Sequence, residues 1–235
     1  MKGRLVETQA LVVRLVDRGE SDRVVTFLTE DAGLVAVSAR GVRKGSKRFG
    51  GALEPMHRLV VTLEHPEREI ATLAEARVDA MRLRLTAHLE SSLVAGFWLR
   101  FARALAHPHG TDADLFRVTD GALSLLDEVP ERHAALGPLV PFAMLAAVGY
   151  ALELERCVSC AKPCPDERPS AVDGRRGGLL CRACGYASIV LPAEARRAVR
   201  DAQEGVFSPL AESHREVASR LAQDVAMQHV GHSVR

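Results

Sequence analysis

The chain has 235 residues, 47% of them hydrophobic and 26% charged, with a net charge of +1. That balance fits one large or two to three small globular domains with a real core. The opening MKGRLVETQ has no apolar core of a signal peptide, and no apolar run approaches the ~18 residues of a membrane span, so the expected compartment is the cytoplasm and no membrane is a partner.

Residues 1 to about 80 read as strands separated by turns. Gln9–Val16 is β-branched and apolar. Arg23–Thr29 sets Val24, Thr26 and Leu28 on one side and Val25, Phe27 and Thr29 on the other, and Glu30-Asp31-Ala32-Gly33 is a turn signal before Leu34–Ala39. Arg58–Leu63 and Ile70–Val78 follow, parted by Glu64-His65-Pro66-Glu67. Five strands at this spacing predict a small barrel of OB type, although an SH3-like barrel gives a similar pattern.

Between the third and fourth of these strands lies Arg40–Gly51, reading RGVRKGSKRFGG. It carries Arg40, Arg43, Lys44, Lys47 and Arg48 among four glycines, and no acidic residue occurs between Asp31 and Glu54. In a chain of net charge +1 this is a local concentration of cations. Glycine keeps such a loop supple, and the charge suits a polyanion such as a nucleic-acid backbone. The bland alternative is a solvated basic turn. Arg14, Arg18 and Arg23 extend the track, unless they pair with Asp17, Glu20 and Asp22. Phe49 either stacks on a base or anchors the loop into the barrel. Aromatic residues are only 4% of the chain, which leaves electrostatics to supply most of any affinity for DNA.

From Met81 the period changes. Leu85, Leu89, Leu93, Phe97 and Phe101 recur every four residues with Trp98 and Leu105 adjacent, predicting one apolar helical stripe of core residues that ends before Pro108. Thr111 and Asp112 are caps for a second helix carrying Leu115, Val118, Leu123 and Leu126, and a third is expected over Val140–Leu154. Leu191-Pro192 opens a helix running to about Gln203. Ser213–His229 is another, and His229 to Arg235 reads as a frayed tail.

All five cysteines lie between Cys157 and Cys184. Cys157-Val158-Ser159-Cys160 and Cys181-Arg182-Ala183-Cys184 are two C-x₂-C turns about twenty residues apart, the spacing of a four-thiolate zinc ribbon. Each turn points two thiolates at one ion with bonds of ~2.3 Å, and the second turn closes the tetrahedron. Inert thiols or another metal are the alternatives, and Cys164 offers a C-x₃-C substitute for Cys160. A site closed by four thiolates leaves no open position, so the single expected Zn²⁺ is structural.

No catalytic motif emerges. The nearest approach to a phosphate-binding loop has Gly51 where a lysine is required, and neither G-x-S-x-G nor H-E-x-x-H occurs. His65-Pro66-Glu67 imitates the H-x-E of a zinc deaminase, but Leu180 stands where that pattern has proline before its cysteine pair. The expectation is a protein that is not an enzyme.

Three stretches carry a resemblance to a known family. They are Leu11-Val12-Val13-Arg14 with Arg18-Gly19-Glu20-Ser21-Asp22-Arg23-Val24-Val25-Thr26, Ala39-Arg40-Gly41-Val42-Arg43, and Phe49-Gly50-Gly51-Ala52-Leu53-Glu54-Pro55. Together they closely resemble the bacterial DNA repair and recombination mediator family RecO. Gly177-Gly178-Leu179-Leu180-Cys181 ahead of the second cysteine turn resembles it too, and the order of segments matches along essentially the whole chain.

The resemblance implies an N-terminal OB-fold that binds single- and double-stranded DNA and ATP-independent annealing of complementary strands. It also implies action with RecR, and in some cases RecF, to load RecA onto DNA coated by single-strand-binding protein, whose acidic-hydrophobic tail meets the helical region. The expected architecture is α+β and multidomain: an OB-fold β-barrel at 1–80, a helical bundle at 81–154 and 191–235, and a zinc ribbon at 155–190. The metal ligands expected are Cys157, Cys160, Cys181 and Cys184. The DNA-binding residues expected are Arg40, Arg43, Lys44, Lys47, Arg48, Arg14, Arg18 and Arg23. A second reading, favoured by the near-neutral charge, is an adaptor that works mainly through protein contacts of the helices.

Overall fold

The structure, a computed structural model, describes residues 5–42, 49, 52–107, 110 and 112–230. Contacts divide it into two units, Met1–Pro130 and Glu131–Arg235.

In the first unit β1 (Leu5–Arg18), β2 (Asp22–Thr29), β3 (Gly33–Ala39), β4 (Arg58–Glu64) and β5 (Ala71–Ala80) close into a barrel of order β1-β2-β3-β5-β4. β1 pairs antiparallel with both β2 and β4, while β3 meets β5 in parallel. This is the OB topology, and the SH3-like alternative falls away. Burial alternates residue by residue along β3 and β4, as a two-faced strand requires. Val25, Phe27, Val35, Val37, Leu59, Val61, Leu63 and Leu73 fill the interior. Leu11 and Leu28 are equally buried yet stand outside that cluster. They lie on the outer face of β1 and β2, where helices cover them.

Those helices are α1 (Leu83–Ala87), α2 (Leu89–Leu105) and α3 (Ala113–Glu128). α2 and α3 pack on β1, and α3 also meets β2. The single helix expected from Met81 is broken at His88, which is extended (φ −108, ψ 112) and caps α2 by accepting from the Ser91 N–H. The expected stripe is corrected with it. Leu85 and Phe101 are buried, but Leu89 and Leu93 are 70% and 59% exposed. A repeat of four overshoots the helical turn by ~40° per step, so it cannot stay on one face for four steps. The buried face is Ser91, Ala95, Trp98, Ala102 and Leu105, at spacings of three and four.

The second unit holds α4 (His133–Leu136), α5 (Val140–Ala147), α6 (Ala193–Gln203) and α7 (Glu212–Val230) around a small sheet. α5 stops well short of the expected Leu154. Gly149 takes φ +87, a left-handed conformation open to glycine, and turns the chain out of the helix. Leu152 and Leu154 are buried around the start of a strand instead. The sheet comprises β6 (Glu153–Cys157), β7 (Ser170–Asp173), β8 (Gly178–Leu180) and β9 (Ile189–Leu191), ordered β6-β8-β7-β9. No helix among the described residues is long and apolar enough to cross a membrane.

Candidate functional site

One end of the barrel gathers the hairpin between β1 and β2 with the chain leaving β3. Arg18 pairs with Asp22 across the hairpin, and Arg23 lies opposite Ala39. Asp22 is the organiser. Its Oδ1 accepts the Gly41 N–H at 2.9 Å and the Ser21 hydroxyl at 3.1 Å. The Gly41 and Ser21 hydrogen bonds hold the Asp22 carboxyl below the usual range, helped by the charges of Arg40 and Arg18. The G-E-S-D-R run is thus the clasp at the root of the basic loop, and Arg18 and Arg40 flank it.

The predicted cations divide as follows. Arg14, Arg18 and Arg40 are exposed. Arg23 is partly covered and donates from Nε to Asp17 at 2.8 Å, so it is engaged in a local ion pair. Arg43, Lys44, Lys47 and Arg48 lie outside the described residues. Phe49 is 3% exposed and belongs to the barrel core with Ala52 and Leu53. It anchors the loop, and the base-stacking alternative is withdrawn because the ring is covered. Asp22 itself is the residue sequence reasoning passed over. It read there only as a neutraliser of arginine, although a carboxylate beside a loop of cations and glycines is a signal for such a clasp.

The cysteines meet because of strand direction. β6 and β8 pair in parallel, so Cys157 at the end of β6 and Cys181 just after β8 arrive at the same edge. A side chain at position 178 would collide with the Glu153 carbonyl, which is why glycine stands where the two strands approach. The Sγ atoms of Cys157, Cys160, Cys181 and Cys184 all lie within 4.8 Å of one another, and Cys160 and Cys181 are 3.8 Å apart. A tetrahedron of metal–sulfur bonds at ~2.3 Å has edges of about 3.8 Å, so the donor set fits one four-coordinate ion.

The electrostatics agree with that fit. The Cys181 N–H donates to Cys157 Sγ at 3.4 Å and is the main cause holding that thiol at about 6 against the effect of burial. Cys184 is pushed up to about 12, first by its neighbours Cys160 and Cys181. Four sulfurs this close resist full ionisation without a cation, and a divalent ion relieves that resistance. Cys164 stands outside the group. Its carbonyl accepts from Arg196, and its thiol is 3.8 Å from the Lys162 carbonyl.

Arg196 is fully buried and fastens the segment between the two cysteine turns. Nε donates to the Leu154 carbonyl, Nη1 to the Pro165 carbonyl and Ser170 hydroxyl, and Nη2 to the Cys164 carbonyl, with Asp166 Oδ1 at 3.0 Å. All five donor hydrogens of the guanidinium have a place.

Comparison with known proteins gives concordant matches. The family described as recombination protein O, N terminal, matches residues 1–82, and its C-terminal counterpart matches residues 87–235. A DNA repair protein RecO of Anaeromyxobacter sp. (strain K) is 37% identical over 180 residues, covering 76% of this chain and 70% of that protein. The DNA repair protein RecO of Myxococcus xanthus (strain DK1622) is 32% identical over 236 residues, covering 97% of this chain and 94% of that one.

Proposed function

This chain belongs to the recombination protein O family, with a role in DNA repair and recombination, and we propose that it acts there as a DNA-binding mediator without catalytic chemistry of its own. The barrel edge grips single- and double-stranded DNA through phosphate contacts, and complementary strands held with their charge neutralised and their bases free then anneal. Together with RecR, and with RecF where present, the protein helps load RecA onto single strands coated by single-strand-binding protein in the cytoplasm. The ion at the cysteine cluster is one Zn²⁺, held by Cys157, Cys160, Cys181 and Cys184, and its part is to fix the fold of the segment around it.

The observation that carries this reading is the clasp at Asp22, which sets Arg18 and Arg40 on either side of the root of a loop with four further cations in its sequence. Five phosphate contacts on a single strand correspond to a slope of about −3.5 in log K against log salt. Replacing Arg43, Lys44 and Lys47 together with alanine is expected to weaken oligonucleotide binding, flatten that slope and slow annealing followed by fluorescence quenching. Equal annealing rates and an equal slope would sink it. The adaptor reading draws support from the outward-facing Leu89 and Leu93 of α2. It becomes the better account if the parent chain shows no DNA affinity at about 150 mM salt, where phosphate-driven binding is already weakened.

A further inference from the structure

Three cations on the flank of the barrel are not explained by the loop. The register of β1 against β2 slips between Val12, which faces Phe27, and Arg14, which faces Thr26, so Val13 is the extra residue of a bulge. A bulge re-aims the side chains that follow it. Arg14, Val16 and Arg18 thereafter share the outer face of β1, and all three are exposed. α2 packs against this strand, and its C-terminal half carries Arg100, exposed, and Arg103, half-buried in the last turn. Arg103 feels the charges of both Arg14 and Arg100. Burial first, and then those two charges, lower its affinity for its proton, with no acid acting in the other direction.

None of the three makes an ion pair with another described residue. The dipole of α2 favours a cation in its last turn, which accounts for Arg103 alone. Arg14 and Arg100 lie outside that turn, and gathering them beside Arg103 works against folding through like-charge repulsion. Such a cluster suits an anion with several charges in a row. Arg14 lies four residues, about 13 Å, from Arg18 along one strand face, so the cluster is continuous with the loop root at Arg18 and Arg40.

We propose that Arg14, Arg100 and Arg103 bind phosphates of a single DNA strand, leading it from the root of the basic loop along the outer face of β1 and onto α2. This rests on the DNA-binding reading above. The occupant is a nucleic-acid backbone because Arg14 shares the outer face of β1 with Arg18, which stands at the root of the basic loop, and Arg103 lies within reach of the charge of Arg14.

The test uses the full chain and a fluorescent oligothymidylate titrated at several salt concentrations. The parent is compared with Arg100→Gln/Arg103→Gln, the same pair with Arg14→Gln, and Arg100→Lys/Arg103→Lys. The slope of log K against log salt is expected to shrink by about 1.4 in the double glutamine variant and by about 2 in the triple, and to be retained with lysine. The exposed Arg100→Gln alone, expected to remove about 0.7, carries the test if the double variant melts lower than the parent. An unchanged slope overturns the inference and leaves DNA binding standing. A parent chain that does not bind the oligothymidylate overturns both. If the glutamine variants keep the DNA slope but lose a labelled oligoglutamate peptide that the parent binds, the cluster recognises an acidic peptide and the inference is again overturned.

Discussion

Arg82 donates to the Asp120 carboxylate while only 2% of its side chain reaches solvent. The same guanidinium donates to the Met56 carbonyl at 2.6 Å and the Ser124 hydroxyl at 3.0 Å, and Arg58 of β4 reaches the other Asp120 oxygen at 2.9 Å. A single carboxylate on α3 therefore holds both the strand β4 and the segment leaving β5. Removing it strands a buried guanidinium, so Asp120→Ala is expected to cost about 3–5 kcal/mol. Urea unfolding measures this, and a loss below about 1 kcal/mol would show that Arg82 finds another partner or water.

The rotated face of α2 makes a second, sharply divided prediction. Leu89→Gln and Leu93→Gln are expected to change stability by no more than about 0.5 kcal/mol, because both side chains already face water. Phe101→Ala, on a ring that is fully buried, is expected to cost about 3–5 kcal/mol. Comparable losses at all three positions would restore the stripe read from the sequence.

The barrel was legible because its strands are short apolar, β-branched runs parted by turn signals, while the choice of OB over SH3-like order needed the pairing of β1 with β4 and of β3 with β5. The apolar repeat at Leu85, Leu89 and Leu93 misled because residue type was read without the phase, and phase was reset by His88, whose break depends on a contact with Ser91. Gly149 gave a visible stop signal that lost against the apolar run around it. The cysteine quartet was legible from spacing alone, since two tight turns can close a coordination sphere wherever the strands carry them. The Asp22 clasp, the Arg82–Asp120 latch and the meeting of Arg14 with Arg100 and Arg103 were not. Each joins residues from different elements, and the bulge at Val13 that sets Arg14 leaves no mark in the composition of β1.

The four-thiolate site predicts one metal ion per chain. Cys181→Ser is expected to abolish bound zinc in elemental analysis and to lower the melting temperature of the protein. Cys164→Ser is expected to retain the ion, because that thiol stands outside the quartet. Loss of zinc from the Cys164 variant would reassign the ligands.

Asp22 supplies a pH signature. Its folded carboxyl lies below the ordinary value of 3.8, mainly through the Gly41 and Ser21 hydrogen bonds. The stabilisation is therefore fully present above that ordinary value and is lost as pH falls through the lowered one. Asp22→Ala is expected to melt below the parent at neutral pH, with the two curves converging in acid beneath pH 3.8. A gap that stays constant across the titration would mean that the carboxylate charge contributes nothing to the clasp.

Arg196 sets an order of events during synthesis. The carbonyls of Leu154, Cys164 and Pro165 that it binds are all made before it, and so are both cysteine turns. It trails Cys184 by twelve positions, roughly 0.6 to 2.4 seconds of translation. Through that interval the stretch between the turns has its thiols but not the side chain that fastens its carbonyls, so its final form waits on a residue made after both turns.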